Sequence, residues 1–227
     1  MLRSMRRYLP FVIVGAVALL TLGSATMLYR AKRLPVLTIA KNHVASGMDD
    51  AKSIHILGNP DAPVTLEEFG DFQCPPCGML SGPINQLEQD YRPRLRVIFR
   101  HFPLTMHRHA REAALASEAA GQQGRFWQMH DVLYREQAVW SEAADVRPLF
   151  DAYAGMLGLN LDRFKKDMES DYVKKRVTAD EQQGAALGVK ITPTIFINNR
   201  ALPNASLSPA SLHAAVDAAM NIKSPPK

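Results

Sequence analysis

Cysteine is nearly missing from this chain. Only two stand among its 227 residues, at positions 74 and 77. A staple between distant parts of the chain is therefore excluded. A bridge between Cys74 and Cys77 closes a very small ring. By the chain-entropy argument it stabilises a fold by about 2 kcal/mol, against about 4.7 for a hundred-residue loop. Such a bridge is better suited to opening and closing than to support. A second Cys-x-x-Cys is also absent, so a four-cysteine zinc site is excluded, and any zinc reading would have to recruit His107 and His109. Two inert thiols at this spacing are the remaining alternative. Low-complexity tracts and internal repeats are missing too, which argues against disordered and solenoid architectures.

Acidic residues are missing from positions 1–33, where Arg3, Arg6, Arg7, Arg30, Lys32 and Arg33 stand. Removing those six from the 27 basic residues leaves 21 against 22 acidic ones. The net charge of +5 thus belongs to the N-terminus, and the rest of the chain is near neutral. No charge argument for a nucleic-acid partner survives this distribution. Tyr8 to Tyr29 carries no charge over 22 residues. At about 1.5 Å per residue that length crosses a bilayer of about 30 Å. Residues 1–33 read as a signal-anchor that crosses a membrane through residues 8–29. A cleaved signal peptide with Gly23-Ser24-Ala25 before the cut is the alternative. Residues 34–58 then read as a linker, and 59–227 as one folded domain.

The domain alternates strand and helix signals. Val64-Thr65-Leu66-Glu67-Glu68-Phe69 has strand character, and Gly70-Asp71-Phe72-Gln73 is a turn. Cys74-Pro75-Pro76-Cys77 opens a helix that runs to about Tyr91 through Leu80, Ile84 and Leu87. Proline suits the first helical turn, where backbone N–H groups have no partner in any case. Cys74 is therefore expected at a helix N-terminus, where the macrodipole favours a thiolate. Cys77 stands one turn on, placed to resolve a mixed disulfide. Leu95–Leu104 alternates Leu95, Val97 and Phe99 with Arg94, Arg96 and Arg100, as a strand does. From about 105 to 186 the signals are helical, with a small-residue face at Ala110, Ala113, Ala114 and Ser117, and Ser170 as an N-cap. Ile195–Ile197 returns to strand, Asn198-Asn199 offers a hairpin turn, and Ser208-Pro209 opens a last helix. Phe126, Trp127 and Trp140 read as core, and the seven histidines, which show no metal pattern, as structural or solvated.

The segment Phe69-Gly70-Asp71-Phe72-Gln73-Cys74-Pro75-Pro76-Cys77 resembles the active-site segment of DsbA-like thiol–disulfide oxidoreductases, bacterial exported members of the thioredoxin superfamily. Val97–Leu104, the alanine-rich stretch from His109 followed by Gly124–Asp131, and Gly188–Asn198 are similar to later parts of that family in the same order. The resemblance spans about residues 55–222. It implies an α/β thioredoxin fold with an inserted helical domain. It implies a cis bond before Pro193, lying against the cysteines, with the Thr192 backbone pairing with an extended substrate segment by strand addition. It implies that Glu68 is a buried acid beneath the pair, taking the proton from Cys77 during resolution. Pro75 and Pro76 would meet the substrate. The type member carries a histidine where this chain has Pro76, which supplies neither charge nor backbone N–H.

The function implied is exchange of disulfides with exported client proteins, most directly as a dithiol oxidase. No cofactor beyond the Cys74–Cys77 disulfide and no metal is expected. A membrane redox partner would reset the pair, and the catalytic domain would lie in the periplasm or another extracytoplasmic space. The alternatives are an anchored reductase or isomerase of the same fold, and a non-catalytic binding module or metal chaperone.

Overall fold

The structure, a computed structural model, describes residues 55–221. The expected signal-anchor at residues 8–29 lies outside the described residues. Among the described residues no helix is long and apolar enough to cross a membrane.

Five strands form one sheet in the order β1–β3–β2–β4–β5: β1 His55–Gly58, β2 Val64–Gly70, β3 Leu95–His101, β4 Thr194–Ile197 and β5 Arg200–Ala201. The central pair, β2 and β3, is parallel, with Val64 opposite Leu95 and Gly70 opposite His101. The other pairings are antiparallel. Helix α1, Pro75–Asp90, connects β2 to β3. Between β3 and β4 lies the helical insertion: α2 Ala110–Gly121, α3 Phe126–Arg135, α4 Gln137–Trp140, α5 Arg147–Met156, α6 Leu161–Glu169 and α7 Asp171–Ala186. Helix α8, Pro209–Asn221, closes the described chain. This is the α/β thioredoxin arrangement with inserted helices.

Local signals are realised where expected. The Ser170 hydroxyl accepts from the Val173 N–H and caps α7. Asn198 and Asn199 take φ of 46° and 63°, the left-handed pair that a tight hairpin between β4 and β5 requires. The Ser211 N–H donates to the Ser208 hydroxyl ahead of α8. Two expectations need correction. β1 stands inside the stretch read as linker, pairing His55–Gly58 with Arg96–Phe99 of β3. β3 ends at His101 rather than Leu104, and the Phe102 N–H makes one further bond to the Gly70 carbonyl.

Side chains alternate across the strands. Val64 and Leu66 of β2, Leu95 and Val97 of β3, and Ile195 and Ile197 of β4 pack with Leu80, Ile84 and Leu87 of α1 and with Leu212 and Val216 of α8. Glu68 follows Val64 and Leu66 at the same period, which aims its carboxyl at the α1 side. The opposite face is buried as well, so Arg100 is not the solvent-facing residue that simple alternation suggests. Arg100 pairs with Glu67 at 2.9 Å and with Asp180 of α7 at 3.1 Å. The ion pairs continue from Asp180 to Arg176 at 3.4 Å and from Arg176 to Glu118 of α2 at 3.7 Å. Glu118 then accepts from His55 and His101 at 2.9 and 3.0 Å. A file of alternating charges therefore wraps the end of β3 and joins the sheet to the insertion.

Gly184 of α7 passes so close to the sheet that a Cβ there would lie 2.7 Å from the Phe102 ring and 2.9 Å from that of Phe69. Both rings are tightly placed, since Phe69 is fully buried and packs edge-on against Phe102 and Phe196. Gly184→Ala is expected to destabilise the chain by about 1–3 kcal/mol through overpacking. Urea unfolding of the full chain measures this, and reactivity at Cys74, on the far side of β2, should not change.

Candidate active site

The end of β2 and the start of α1 set the site. Asp71 ends the extended run, and its carbonyl accepts from the Cys74 N–H at 3.0 Å. Cys74 is the N-cap of α1, in an extended conformation, with Pro75 and Pro76 in the first turn. The prolines have no N–H to orphan, and the Cys74 carbonyl accepts from Cys77 and Gly78 at 3.1 and 3.2 Å. Gln137 of α4 buttresses this turn, its amide donating to the carbonyls of Phe72 and Cys74 at 2.6 and 3.0 Å.

Both cysteines are free thiols. Their surroundings differ. The Cys74 thiol is pulled down to about 6, first by a hydrogen bond from the Cys77 thiol. Partial burial opposes this, and contacts with Thr192 and the Cys77 N–H add to it. Cys77 has no exposed surface, and burial pushes its thiol far above the ordinary cysteine range, with the neighbouring Cys74 and Glu68 acting in the same sense. Cys74 is only 5% exposed, a nearly buried residue with a small accessible edge.

Thr192 and Pro193 precede β4 and meet the pair directly. The bond between them is cis. The Cys74 thiol donates to the Thr192 carbonyl at 3.3 Å. The Thr192 hydroxyl is buried without a partner. Glu68 is 2% exposed with Oε1 unpartnered, and its carboxyl is pushed up to about 8 by burial and by the charge of Cys74. Pro75 and Pro76 are exposed. Met79 of α1, Met106 in the loop after β3 and Ile191, next to Thr192 in sequence, are exposed apolar side chains.

Four participants were not legible as such in the sequence. Asp71 and His107 are bonded at 2.6 Å across 36 residues. Tyr134 of α3 is buried and feels Cys77, Glu68, Asp71 and Cys74 together. Gln137 is the fourth. Only Asp71 carried a local signal, since its carboxylate accepts from the N–H of Gln73 two residues on, the turn chemistry typical of aspartate.

A second polar cluster lies apart from the dithiol. His55, His101 and Glu118 bring three potential metal-binding atoms within 4.8 Å of one another, a convergence that sequence spacing conceals. Both imidazoles donate to the same carboxylate oxygen, and the Arg176 guanidinium stands 3.7 Å from it. A cation placed there would face that guanidinium, so the arrangement is a hydrogen-bonded ion cluster. Burial raises the Glu118 carboxyl, but the hydrogen bonds from His101 and His55 outweigh it and hold the group well below the usual carboxylate range.

A thioredoxin fold that holds an unequal pair of thiols at a helix start, against a cis-proline and above a buried acid, defines a thiol–disulfide oxidoreductase. A family model described as thioredoxin matches residues 50–218, and the chain belongs to that family. Similar solved structures include BdbD from Bacillus subtilis in its oxidised form, at 24% identity and a TM-score of 0.66, covering 79% of this chain and 100% of that one. DsbA2 from Pseudomonas aeruginosa matches at 23% identity and a TM-score of 0.61, covering 74% and 96%. These two carry the fold. Among curated relatives, a protein named Na(+)/H(+) antiporter NhaA 1 from Mycolicibacterium gilvum is 38% identical over 156 residues, which is 66% of this chain and 24% of that one. The chain spans about a quarter of the length of the curated relatives it matches.

Proposed function

We propose that this chain is an exported dithiol oxidase that passes the Cys74–Cys77 disulfide to cysteines of exported proteins. The observation that carries the reading is the inequality of the two thiols, one held near 6 at the rim and the other pushed up in the interior. A low pKa stabilises the reduced form and so makes the disulfide form oxidising. In the forward reaction a client thiolate attacks Cys74 Sγ and the Cys74–Cys77 bond breaks. Cys77 leaves with the bonding electron pair and takes up a proton. A second client thiol, deprotonated, then attacks the client sulfur of the mixed disulfide, and Cys74 leaves as a stable thiolate. The client gains a disulfide, and the pair is left reduced by two electrons. Glu68, buried beside the cysteines, is the group proposed to exchange the proton with Cys77. The backbone at Thr192 and the exposed faces of Pro75 and Pro76 are proposed to hold an extended client segment.

Export and tethering through residues 8–29 belong to the same proposal, with the domain on the oxidising side of the membrane and a membrane redox partner restoring the disulfide. No cofactor is needed beyond the pair itself. Relatives that carry a similar segment within a protein named as an antiporter, a membrane activity, fit a tethered domain.

The redox equilibrium of the full chain with glutathione tests the reading. The oxidase is expected between about −120 mV, the value of the strongest such oxidant, and about −180 mV, that of protein disulfide isomerase. A potential near −270 mV, that of thioredoxin, would replace the oxidase with a reductase.

A further inference from the structure

The Asp71 carboxylate is almost fully buried in the turn that delivers Cys74. Its Oδ1 accepts from the Gln73 N–H at 2.7 Å. Its Oδ2 accepts from the Leu104 N–H at 2.9 Å and from His107 Nδ1 at 2.6 Å. Its backbone carbonyl holds the Cys74 N–H. One residue therefore ties the nucleophile's turn to the loop after β3. Gln73 adds a second tie to that loop, its side chain accepting from the His109 N–H at 2.6 Å.

A buried negative charge three residues ahead of a thiolate opposes that thiolate, and Asp71 acts on Cys74 in this sense. Two of the three donors to Asp71 are backbone groups fixed by the fold. The third, the His107 imidazole, is 20% exposed at its side chain and so reaches solvent while touching a carboxylate that does not. On the inner side Asp71 belongs to a buried titratable set with Cys74, Cys77, Glu68 and Tyr134. His107 is thus the outer member of a pair whose inner member borders the catalytic thiol.

We propose that His107, by donating Nδ1–H to Asp71, is a positioning residue that sets how readily Cys74 reacts. The inference deepens the oxidoreductase reading and rests on Cys74 being the nucleophile. Removing the imidazole leaves Asp71 Oδ2 with one donor and its charge less compensated, to the cost of the Cys74 thiolate. Asp71 is the necessary intermediary, so its neutralisation should make the chain indifferent to His107.

The test is the rate of iodoacetamide alkylation of Cys74 against pH in the reduced full chain, read by mass spectrometry. His107→Ala is expected to move the alkylation midpoint up by about one pH unit, slowing the reaction about three- to tenfold at pH 6. His107→Asn, whose amide nitrogen stands where Nδ1 stood, should recover much of the loss. In an Asp71→Asn background His107→Ala should have no further effect. The proposal is overturned by an unchanged midpoint in His107→Ala, by asparagine performing no better than alanine, or by an effect that persists without the Asp71 charge. If Asp71→Asn does not fold, the alanine and asparagine variants decide the matter between them. Alkylation reads the thiolate itself, whereas the glutathione equilibrium reads the direction of exchange, so failure of one is distinct from failure of the other.

Discussion

Cys74→Ser is expected to abolish thiol–disulfide exchange, by at least a thousandfold. Cys77→Ser should stop turnover while letting mixed disulfides through Cys74 accumulate. The thiolate argument alone does not carry this asymmetry. At pH 7 a thiol titrating at about 6 is about nine-tenths thiolate, while an ordinary one near 8.5 is only a few per cent, a gain of about thirtyfold. Nucleophilicity falls with pKa at a slope of about 0.4–0.5, which returns about tenfold of that gain. The remaining factor is only about three. Access decides the rest, because Cys77 has no exposed surface and Cys74 retains a small edge. Stability of the leaving group works in the same direction, since a thiolate with a low pKa departs readily when a client takes over the mixed disulfide. Non-reducing gels of each variant incubated with a reduced client and an oxidant distinguish the roles. Adducts in Cys74→Ser at the level of Cys77→Ser would reverse the assignment.

Glu68→Gln is expected to slow the steps that expose or quench the Cys77 thiolate by about 10²–10⁴-fold, the usual range for a general acid–base group. The same change should flatten the pH dependence of stability. The Glu68 carboxyl is pushed up to about 8 from an ordinary 4.5, so between those values the folded chain retains a proton that the unfolded chain has lost. The stabilising contribution is fully present below 4.5 and is lost as pH rises through about 8. Each pH unit inside that window removes up to about 1.4 kcal/mol. In the reduced chain Cys74, pulled down to about 6, acts in the opposite sense above that pH, so the comparison belongs to the disulfide form, in which neither cysteine titrates. Oxidised wild-type chain should unfold at lower urea at pH 9 than at pH 5, and Glu68→Gln should lose most of that difference while losing activity. A wild-type chain equally stable at both pH values would remove the buried-acid account, and an unimpaired Glu68→Gln would remove its catalytic role.

The parts legible in the sequence were those written within one or two turns of chain. The prolines after Cys74, the hydroxyl of Ser170 before α7 and the Asn198-Asn199 pair each act on neighbours, so they declared a helix start, a cap and a hairpin. The resemblance added the placement against the pair of Thr192, 118 residues beyond Cys74, and of Pro193 after it, which no periodicity reveals. What stayed hidden depended on distant packing. β1 is four residues at a sheet edge, too short for a pattern. Arg100 looked like a solvent residue because alternation along one strand does not say that α7 covers both it and its partners. His107 and Asp71 looked unrelated because only the return of the loop after β3 brings them together.

The file of alternating charges from Glu67 to Glu118 bears on how the insertion moves. Its central members, Arg100, Asp180, Arg176 and Glu118, are all nearly out of solvent, so counter-ions cannot take their places one at a time. Pulling α7 away from the strands would break the buried Arg100–Asp180 pair, leaving Arg100 with Glu67 and Asp180 with Arg176, and lifting α2 would take Glu118 from His55, His101 and Arg176. Losing one partner of a buried pair costs about 3–5 kcal/mol. These buried pairs tie the inserted helices to the strands at several points, as a seam that opens as a unit rather than one contact at a time.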